Sequence, residues 1–120
     1  EFHRFINMPS GSNSKSYVLF DPLSNHYFAI GSICVNPATP GQRNVLALQA
    51  SEDLYCWRTV KLLLDYRQED PAKVGFQYIS FLIDGDDILY VSRTSMNGAR
   101  NFHDANTITF HIIKDFRKYV

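Results

Sequence analysis

The sequence predicts an all-β protein built from antiparallel sheets. Its apolar runs are rich in Val, Ile, Tyr, Phe and Thr, which favour strands, and clusters of Gly, Pro, Asn and Asp separate them. These runs recur about every ten residues, the spacing of a sandwich, a barrel or a propeller. The chain has 120 residues, of which 45% are hydrophobic, so it is long enough for one domain with its own core.

Seven strands follow from this pattern. The apolar run at 57–66 is also compatible with a helix, and we assign it as a strand because it starts directly after a turn and ends in a charged connector. The predicted strands are 16–20, 26–35, 44–50, 57–66, 76–84, 88–94 and 105–113.

The strands fall into two groups, each the size of a propeller blade. Four-stranded units of about 40–45 residues are the propeller signature. The first group is a four-stranded blade at 16–66. The second, at 76–113, holds three strands, and the N-terminal run at 2–7 is a candidate for its fourth. The whole chain, 1–120, is therefore predicted to be a single partial domain of about two blades.

Charge and composition argue against two classes of partner. Lys plus Arg equals Asp plus Glu, 12 each, so the basic excess of a protein that neutralises phosphates is missing and no nucleic-acid partner is predicted. No apolar run approaches the roughly 20 residues that cross a bilayer, so no membrane span is predicted. Lys114, Arg117 and Lys118 are interpreted as a solvated tail.

The two cysteines do not indicate a metal site. Cys34 and Cys56 are not arranged as a CxxC pair. We interpret them as buried free thiols, with a disulfide as the alternative. No metal and no cofactor are predicted.

The segment SEDLYCW at 51–57 has the residues of a tight, hydrogen-bonded turn. The side-chain oxygens of Ser51 and Asp53 can accept hydrogen bonds from backbone N–H groups of the turn. The indole of Trp57 is expected to fold back as an apolar plug, with its N–H free to find a partner. A structural role is therefore predicted for Ser51, Asp53 and Trp57.

This turn resembles the Asp-box, or BNR repeat, of sialidase-type β-propellers, which is written Ser-x-Asp-x-Gly-x-Thr-Trp. Here Tyr55 and Cys56 stand at the Gly and Thr positions, and the residue that separates these two positions in the box is absent. In that family the box joins the third and fourth strands of a blade, away from the active site. The flanking segments 36–57 and 75–93 are similar to sialidases in the same order, and 101–117 resembles the closing strand of sialidase-like glycosidases from polysaccharide-degrading bacteria. The resemblance implies the C-terminal portion of a sialidase-superfamily glycoside hydrolase, with four-stranded antiparallel blades.

The resemblance assigns roles to two residues. Arg43 matches the third Arg of the family's carboxylate-binding triad, and Arg binds carboxylates bidentately; the alternative is a loop-exposed Arg. Tyr78 matches the sialidase nucleophile. A phenol with a pKa near 10 needs an adjacent base, and nothing in this sequence matches the family's Glu. The alternative for Tyr78 is an ordinary aromatic that shares one strand face with Phe76 and Ser80.

One position departs from the family pattern. Where the family has a Glu that holds the first Arg of the triad, this sequence has Val91. Arg93 follows on the same strand, and His103 and Asp104 follow in the next loop, so these three are predicted to form a polar cluster that binds a different sugar. The alternative for His103 and Asp104 is a structural cap of that loop.

The function implied by the resemblance is that of a fragment of an exo-glycosidase that acts on terminal sugars of glycans, in a secreted or periplasmic location. The isolated chain is expected to be inactive, and to pack against the remaining blades of a parent protein or to self-associate. Two alternatives remain open. One is a carbohydrate-binding propeller without catalysis, which Val91 favours, and the other is a stand-alone β-sandwich interaction domain.

Overall fold

The computed structural model describes residues 1–10 and 15–120, and within them the chain is all-β with one short 3-10 helix. Each of the seven predicted strands is present, and the largest boundary difference is at the end of the second strand, which stops at Ser32. The elements are β1 Val18–Asp21, β2 His26–Ser32, β3 Val45–Ser51, β4 Arg58–Asp65, β5 Gly75–Asp84, β6 Asp87–Ser95, β7 Thr107–Ile113 and the 3-10 helix Phe116–Tyr119.

The first sheet is a four-stranded antiparallel meander with the order β1-β2-β3-β4. β3 is buried along its whole length, as expected for a continuous apolar run that lacks the alternation of a half-exposed strand. The run at 57–66, for which the sequence also allowed a helix, forms β4 at the edge of this sheet. The sheet is open, with β1 and β4 as its two edge strands.

The second sheet is antiparallel and has three strands in the order β5-β6-β7. Gly85 and Asp86 form the two-residue turn between β5 and β6, and Gly85 has a φ of 61°, which suits glycine. One face of this sheet is exposed and apolar, and Leu82, Val91 and Phe110 lie on it.

Residues 2–7, the candidate fourth strand of the second blade, lie beside the first sheet. Asn7 forms an isolated parallel bridge with Cys56. The Arg4 guanidinium is 4.3 Å from the centre of the Tyr55 ring. The N-terminal segment therefore contacts the turn at 51–57.

One hydrophobic core joins the two sheets. Strands β2 and β3 of the first sheet and β5 and β6 of the second contribute most of its side chains, and Phe116 of the 3-10 helix closes one end. The buried core residues are Phe28, Ile30, Leu46, Leu48, Ala50, Val74, Phe76, Ile79, Phe81, Ile88, Tyr90, Ile113 and Phe116.

Arg117 ties the C-terminal helix to both sheets. Its Nε and Nη2 donate to the two carboxylate oxygens of Asp21, each at 2.8 Å, and its Nη1 donates to Asp86 at 2.8 Å. Asp21 is buried, and the Arg117 guanidinium holds the pKa of that carboxyl well below its usual range. The interpretation of Arg117 as part of a solvated tail was wrong, because its partners lie 96 and 31 residues away in the sequence.

Cys34 and Cys56 are both free and exposed, so the expectation of free thiols is confirmed and that of burial is wrong. Among the described residues there is no helix with the length and apolar character needed to span a membrane.

Candidate functional site

The turn at 51–57 closes through hydrogen bonds from its own backbone to two side chains. The Ser51 hydroxyl accepts the N–H of Leu54 at 2.9 Å and donates to Asp53 Oδ1 at 3.1 Å. The same carboxylate oxygen accepts the N–H groups of Cys56 and Tyr55, each at 2.8 Å. These N–H groups hold the pKa of Asp53 below its ordinary value, because they stabilise the ionised form. The hydrogen bonds expected of Ser51 and Asp53 are therefore present.

The indole of Trp57 completes this turn. Its Nε1–H donates to the carbonyl of Leu54 at 2.9 Å. Leu54 has a φ of 69°, in the left-handed region. The turn joins β3 to β4, the third and fourth strands of the first sheet.

A β-bulge in β5 positions Tyr78. Gln77 pairs with Arg93, yet the next pair is three residues on in β5, at Ser80, and two residues back in β6, at Val91. β5 therefore has one more residue than β6 in this interval, and such bulges redirect a side chain.

The bulge turns Tyr78 away from the core. Tyr78 has a φ of 52° and is 44% exposed, whereas Phe76 is buried. Without the extra residue, strict alternation would place both rings on one face. The alternative interpretation, in which Tyr78 shares a strand face with Phe76, is therefore wrong.

Gln77 connects Arg43 to the loop before β7. Arg43 Nη1 donates to Gln77 Oε1 at 2.7 Å. Gln77 Nε2 donates to the carbonyl oxygens of His103 at 2.8 Å and Phe102 at 3.1 Å. Gln77 is only 5% exposed, so these bonds fix the side chains around it.

Gly75 allows that loop to lie against β5. A Cβ at Gly75 would be 3.0 Å from the carbonyl oxygen of Phe102 and 3.1 Å from its Cβ, which is tighter than most Cβ contacts and would push the loop outward by a few tenths of an ångström. The same carbonyl accepts a hydrogen bond from the Ser95 hydroxyl at 3.0 Å. Phe102 and its neighbour His103 are therefore held at the end of the second sheet.

Two more side chains surround the Tyr78 ring. The Arg93 guanidinium lies 5.5 Å from the ring centre, within the range of a cation–π interaction. The His103 ring meets it edge-on, with 6.5 Å between centres. We refer to Arg43, Gln77, Tyr78, Arg93 and His103 as the arginine–tyrosine cluster.

Asp104 lies next to this cluster but bonds within its own loop. Its Oδ2 accepts from Asn101 Nδ2 and from Arg100 Nη2, both at 3.0 Å, and its Oδ1 is 3.5 Å from His103 Nδ1. The Asn101 amide, followed by His103, lowers the pKa of the Asp104 carboxyl. Asn101 Oδ1 accepts the N–H of Asp104 at 2.7 Å. These bonds are those of a loop cap, the alternative that the sequence left open.

The sequence did not single out Gln77. Its only signal is a polar residue between two aromatics in a strand, and that pattern names neither Arg43 nor Phe102 as a partner. Gln77 nevertheless makes the bonds that bring the predicted residues Arg43 and Tyr78 into one cluster.

The described surface has other features that bear on binding. Three clefts of about 190, 210 and 380 Å³ lie outside the cluster. Residues 1–10 and 15–120 contain no group of three or more His, Cys, Asp or Glu side chains placed to hold a metal ion.

No protein-family model matches the chain, and no curated protein or solved structure is significantly similar to it. The chain is thus an all-β protein of two open antiparallel sheets, with four and three strands, that carries a hydrogen-bonded turn at 51–57 and an arginine–tyrosine cluster.

Proposed function

We propose that the arginine–tyrosine cluster binds the carboxylate of a terminal acidic sugar of a glycan, in a sialidase-like β-propeller. The observation that carries this proposal is the grouping of two guanidinium groups, from Arg43 and Arg93, around Gln77 and the exposed ring of Tyr78. Guanidinium groups bind carboxylates through paired, charge-assisted hydrogen bonds. An aromatic ring beside them offers an apolar surface for the body of the sugar.

Two features of the scaffold support the propeller part of the proposal. The Asp-box-type turn lies between the third and fourth strands of a four-stranded sheet, which is its place in a sialidase blade. The two sheets also share one core, as neighbouring blades do. A two-sheet β-sandwich has the same packing, so a sandwich interaction domain is the rival scaffold.

The exposed face of the second sheet is the proposed contact with a partner. Leu82, Ile108 and Phe110 are each more than half exposed there. An apolar patch of this kind marks an interaction surface. We propose that remaining blades of a parent chain, or a second copy, pack on it, and that the protein meets its glycans in a secreted or periplasmic location.

Exo-glycosidase activity of the parent protein is the second candidate function. Tyr78 is the residue that matches the sialidase nucleophile. It is exposed and lies beside the Arg93 guanidinium, and these two features favour this activity. Val91 in place of the family's Glu favours binding without catalysis. We therefore expect the 120-residue chain to bind sugar without hydrolysis, and release of the aryl group from an aryl sialoside by this chain would contradict that expectation.

The binding proposal is tested by NMR titration of the ¹⁵N-labelled chain with the methyl glycoside of sialic acid and with its methyl ester. The free acid should shift the amide signals of Gln77, Tyr78 and His103, and the uncharged ester should not. Equal shifts with both compounds, or shifts confined to other parts of the chain, would contradict a carboxylate site.

Arginine variants sharpen this test. Arg43→Lys and Arg93→Lys keep the positive charge but lose the planar guanidinium that binds a carboxylate through two hydrogen bonds, so each should weaken binding about tenfold. Arg58→Lys is the matched control, because Arg58 is exposed on β4 outside the cluster. Unchanged affinity in both cluster variants, with intact spectra, would count against the proposal.

A further inference from the structure

A polar cleft lies between edge strands of the two sheets, separate from the arginine–tyrosine cluster. It has a volume of about 380 Å³ and is lined by residues of β4, β7 and the 3-10 helix, together with Tyr90 of β6. Its polar side chains include Lys61, His111, Lys118 and Tyr119. None of its lining residues belongs to the arginine–tyrosine cluster, so an inference about it does not depend on the function proposed above.

Two lysine ammonium groups lie close to the Tyr119 ring at this cleft. Lys61 Nζ is 5.1 Å and Lys118 Nζ is 5.3 Å from the centre of the Tyr119 ring. A third lysine on its rim, Lys114, forms an ion pair with Asp87 at 2.6 Å. The cleft-lining residues in the described ranges include no Asp or Glu. Lys61 and Lys118 therefore give the cleft a positive potential, which favours the binding of an anion.

Tyr90 is another lining residue of this cleft. Tyr90 is 3% exposed, and its ring stacks on that of His111 with 4.7 Å between centres. Within residues 1–10 and 15–120 the hydroxyl makes no hydrogen bond, and its oxygen is not among the fully buried side-chain atoms that lack a partner, so it is open to a ligand. Burial raises the pKa of Tyr90 to about 12, so near neutral pH the hydroxyl keeps its proton and can donate a hydrogen bond.

His111 stays neutral under the same conditions. Burial lowers the pKa of its imidazole, and its Nε2 is 2.8 Å from the Thr109 hydroxyl. The positive charge of the cleft at neutral pH therefore comes from its lysines.

We propose that this cleft binds a phosphate or sulfate group carried on a sugar-sized molecule. Lysine binds tetrahedral oxyanions as a point charge, whereas planar carboxylates are best matched by the fork of arginine, which the lining residues lack. Lys61 and Lys118 bind the anion, and the Tyr90 hydroxyl donates a hydrogen bond to it. The Tyr119 ring and Leu62 give an apolar surface for the attached ring, and the volume suits a small ligand.

This site is not visible in the sequence. Lys61 and Lys118 are 57 positions apart, and each lies in a segment of mixed charge. Only the packing of the C-terminal helix beside β4 brings them to the same ring.

The probes for this proposal are inorganic phosphate, glucose 6-phosphate, glucose 6-sulfate and glucose, titrated into the ¹⁵N-labelled chain at constant low ionic strength. We expect saturable shifts of the Lys61, His111 and Lys118 amides with the three anions and none with glucose. Tighter binding of glucose 6-phosphate than of glucose 6-sulfate would identify a phosphate site, and the reverse order a sulfate site. Equal shifts with sodium chloride at matched ionic strength would overturn the proposal.

Charge-neutral variants separate this cleft from a general effect of positive charge. Lys61→Gln and Lys118→Gln should each weaken binding about tenfold, and Tyr90→Phe several-fold. Lys73→Gln is the matched control, because Lys73 bonds to the carbonyl of Arg100 away from the cleft. Thermal unfolding of each variant verifies the fold. If Lys73→Gln weakens binding as much as Lys61→Gln does, or if neither cleft variant weakens it, the proposal is wrong.

Discussion

Leu54 and Tyr78 share an unusual backbone conformation in two very different settings. Their φ angles are 69° and 52°, in the left-handed region. The other non-glycine residues with positive φ in the described parts of the chain are Asn or Asp, which tolerate it well. Leu54 lies in the turn at 51–57, which resembles an Asp-box, and Tyr78 lies in the bulge of the arginine–tyrosine cluster.

The two strained positions differ in what stabilises them. The hydrogen bonds around Leu54 come from Ser51, Asp53 and Trp57, all within three residues of it in the sequence. The contacts around Tyr78 come from Arg93 and His103, and through Gln77 from Arg43. Backbone strain persists only where the surrounding structure holds it, and such positions cluster at functional sites. At Leu54 the turn itself supplies these contacts, whereas at Tyr78 they come from other strands and loops. The comparison therefore supports a structural role for the box and is in line with the binding role that we propose for the cluster.

The largest loss of folding stability is expected at the cluster, from Gln77→Ala. This change removes three hydrogen bonds at a buried position, so it should lower the free energy of unfolding by about 3 kcal/mol. Urea unfolding measures it. Gln68→Ala, at an exposed position, is the control and should change little. A loss below about 1 kcal/mol would mean that local backbone geometry, and not the distant contacts, holds the bulge.

A smaller loss of folding stability is expected in the box, from Ser51→Ala. Ser51 is buried, but the N–H groups that it accepts belong to an exposed turn where water can replace the hydroxyl. We expect a loss of about 1–2 kcal/mol in urea unfolding, with sugar binding at the cluster unchanged. Ser80→Ala, exposed on β5, is the control. Loss of sugar binding in Ser51→Ala would show that the box and the cluster are coupled.

The same contrast explains how far the sequence could predict the molecule. The strands and the box follow from local patterns, because β-propensity, turn residues and capping oxygens act over a few positions. The bulge at Tyr78 does not, since one extra residue is visible only when β5 is paired with β6. Gln77 and Arg117 were missed for the same reason, as their partners are tens of residues away.

Glycine substitutions at the two strained positions should have different outcomes. Leu54→Gly removes the left-handed strain and few contacts, so it should raise the free energy of unfolding by about 0.5–1 kcal/mol. Tyr78→Gly relieves the same strain but removes the ring that contacts Arg93 and His103, so its net change should be zero or destabilising. Paired urea unfolding curves give both values. Destabilisation by Leu54→Gly would mean that the Leu54 side chain, and not its backbone, matters in the turn.

The smallest effect is the contribution of Asp53 to the pH dependence of folding stability. Its pKa in the folded protein lies below the ordinary value of 3.8, because the N–H groups of Cys56 and Tyr55 stabilise the carboxylate. In the unfolded chain Asp53 therefore takes up a proton at higher pH than in the folded one. Its stabilising contribution is complete above about pH 5 and is lost as pH falls below about 4.

Asp53→Asn keeps an acceptor oxygen but removes this titration. The variant should be less stable than the unmodified chain at pH 7, and the difference should narrow between about pH 4 and pH 2, measured by urea unfolding at each pH. Asp21 also has a lowered pKa, but it is present in both proteins, so its contribution cancels in the difference. A difference that stays constant down to about pH 2 would show that the Asp53 charge is not what the turn stabilises, and that the box acts through neutral hydrogen bonds alone.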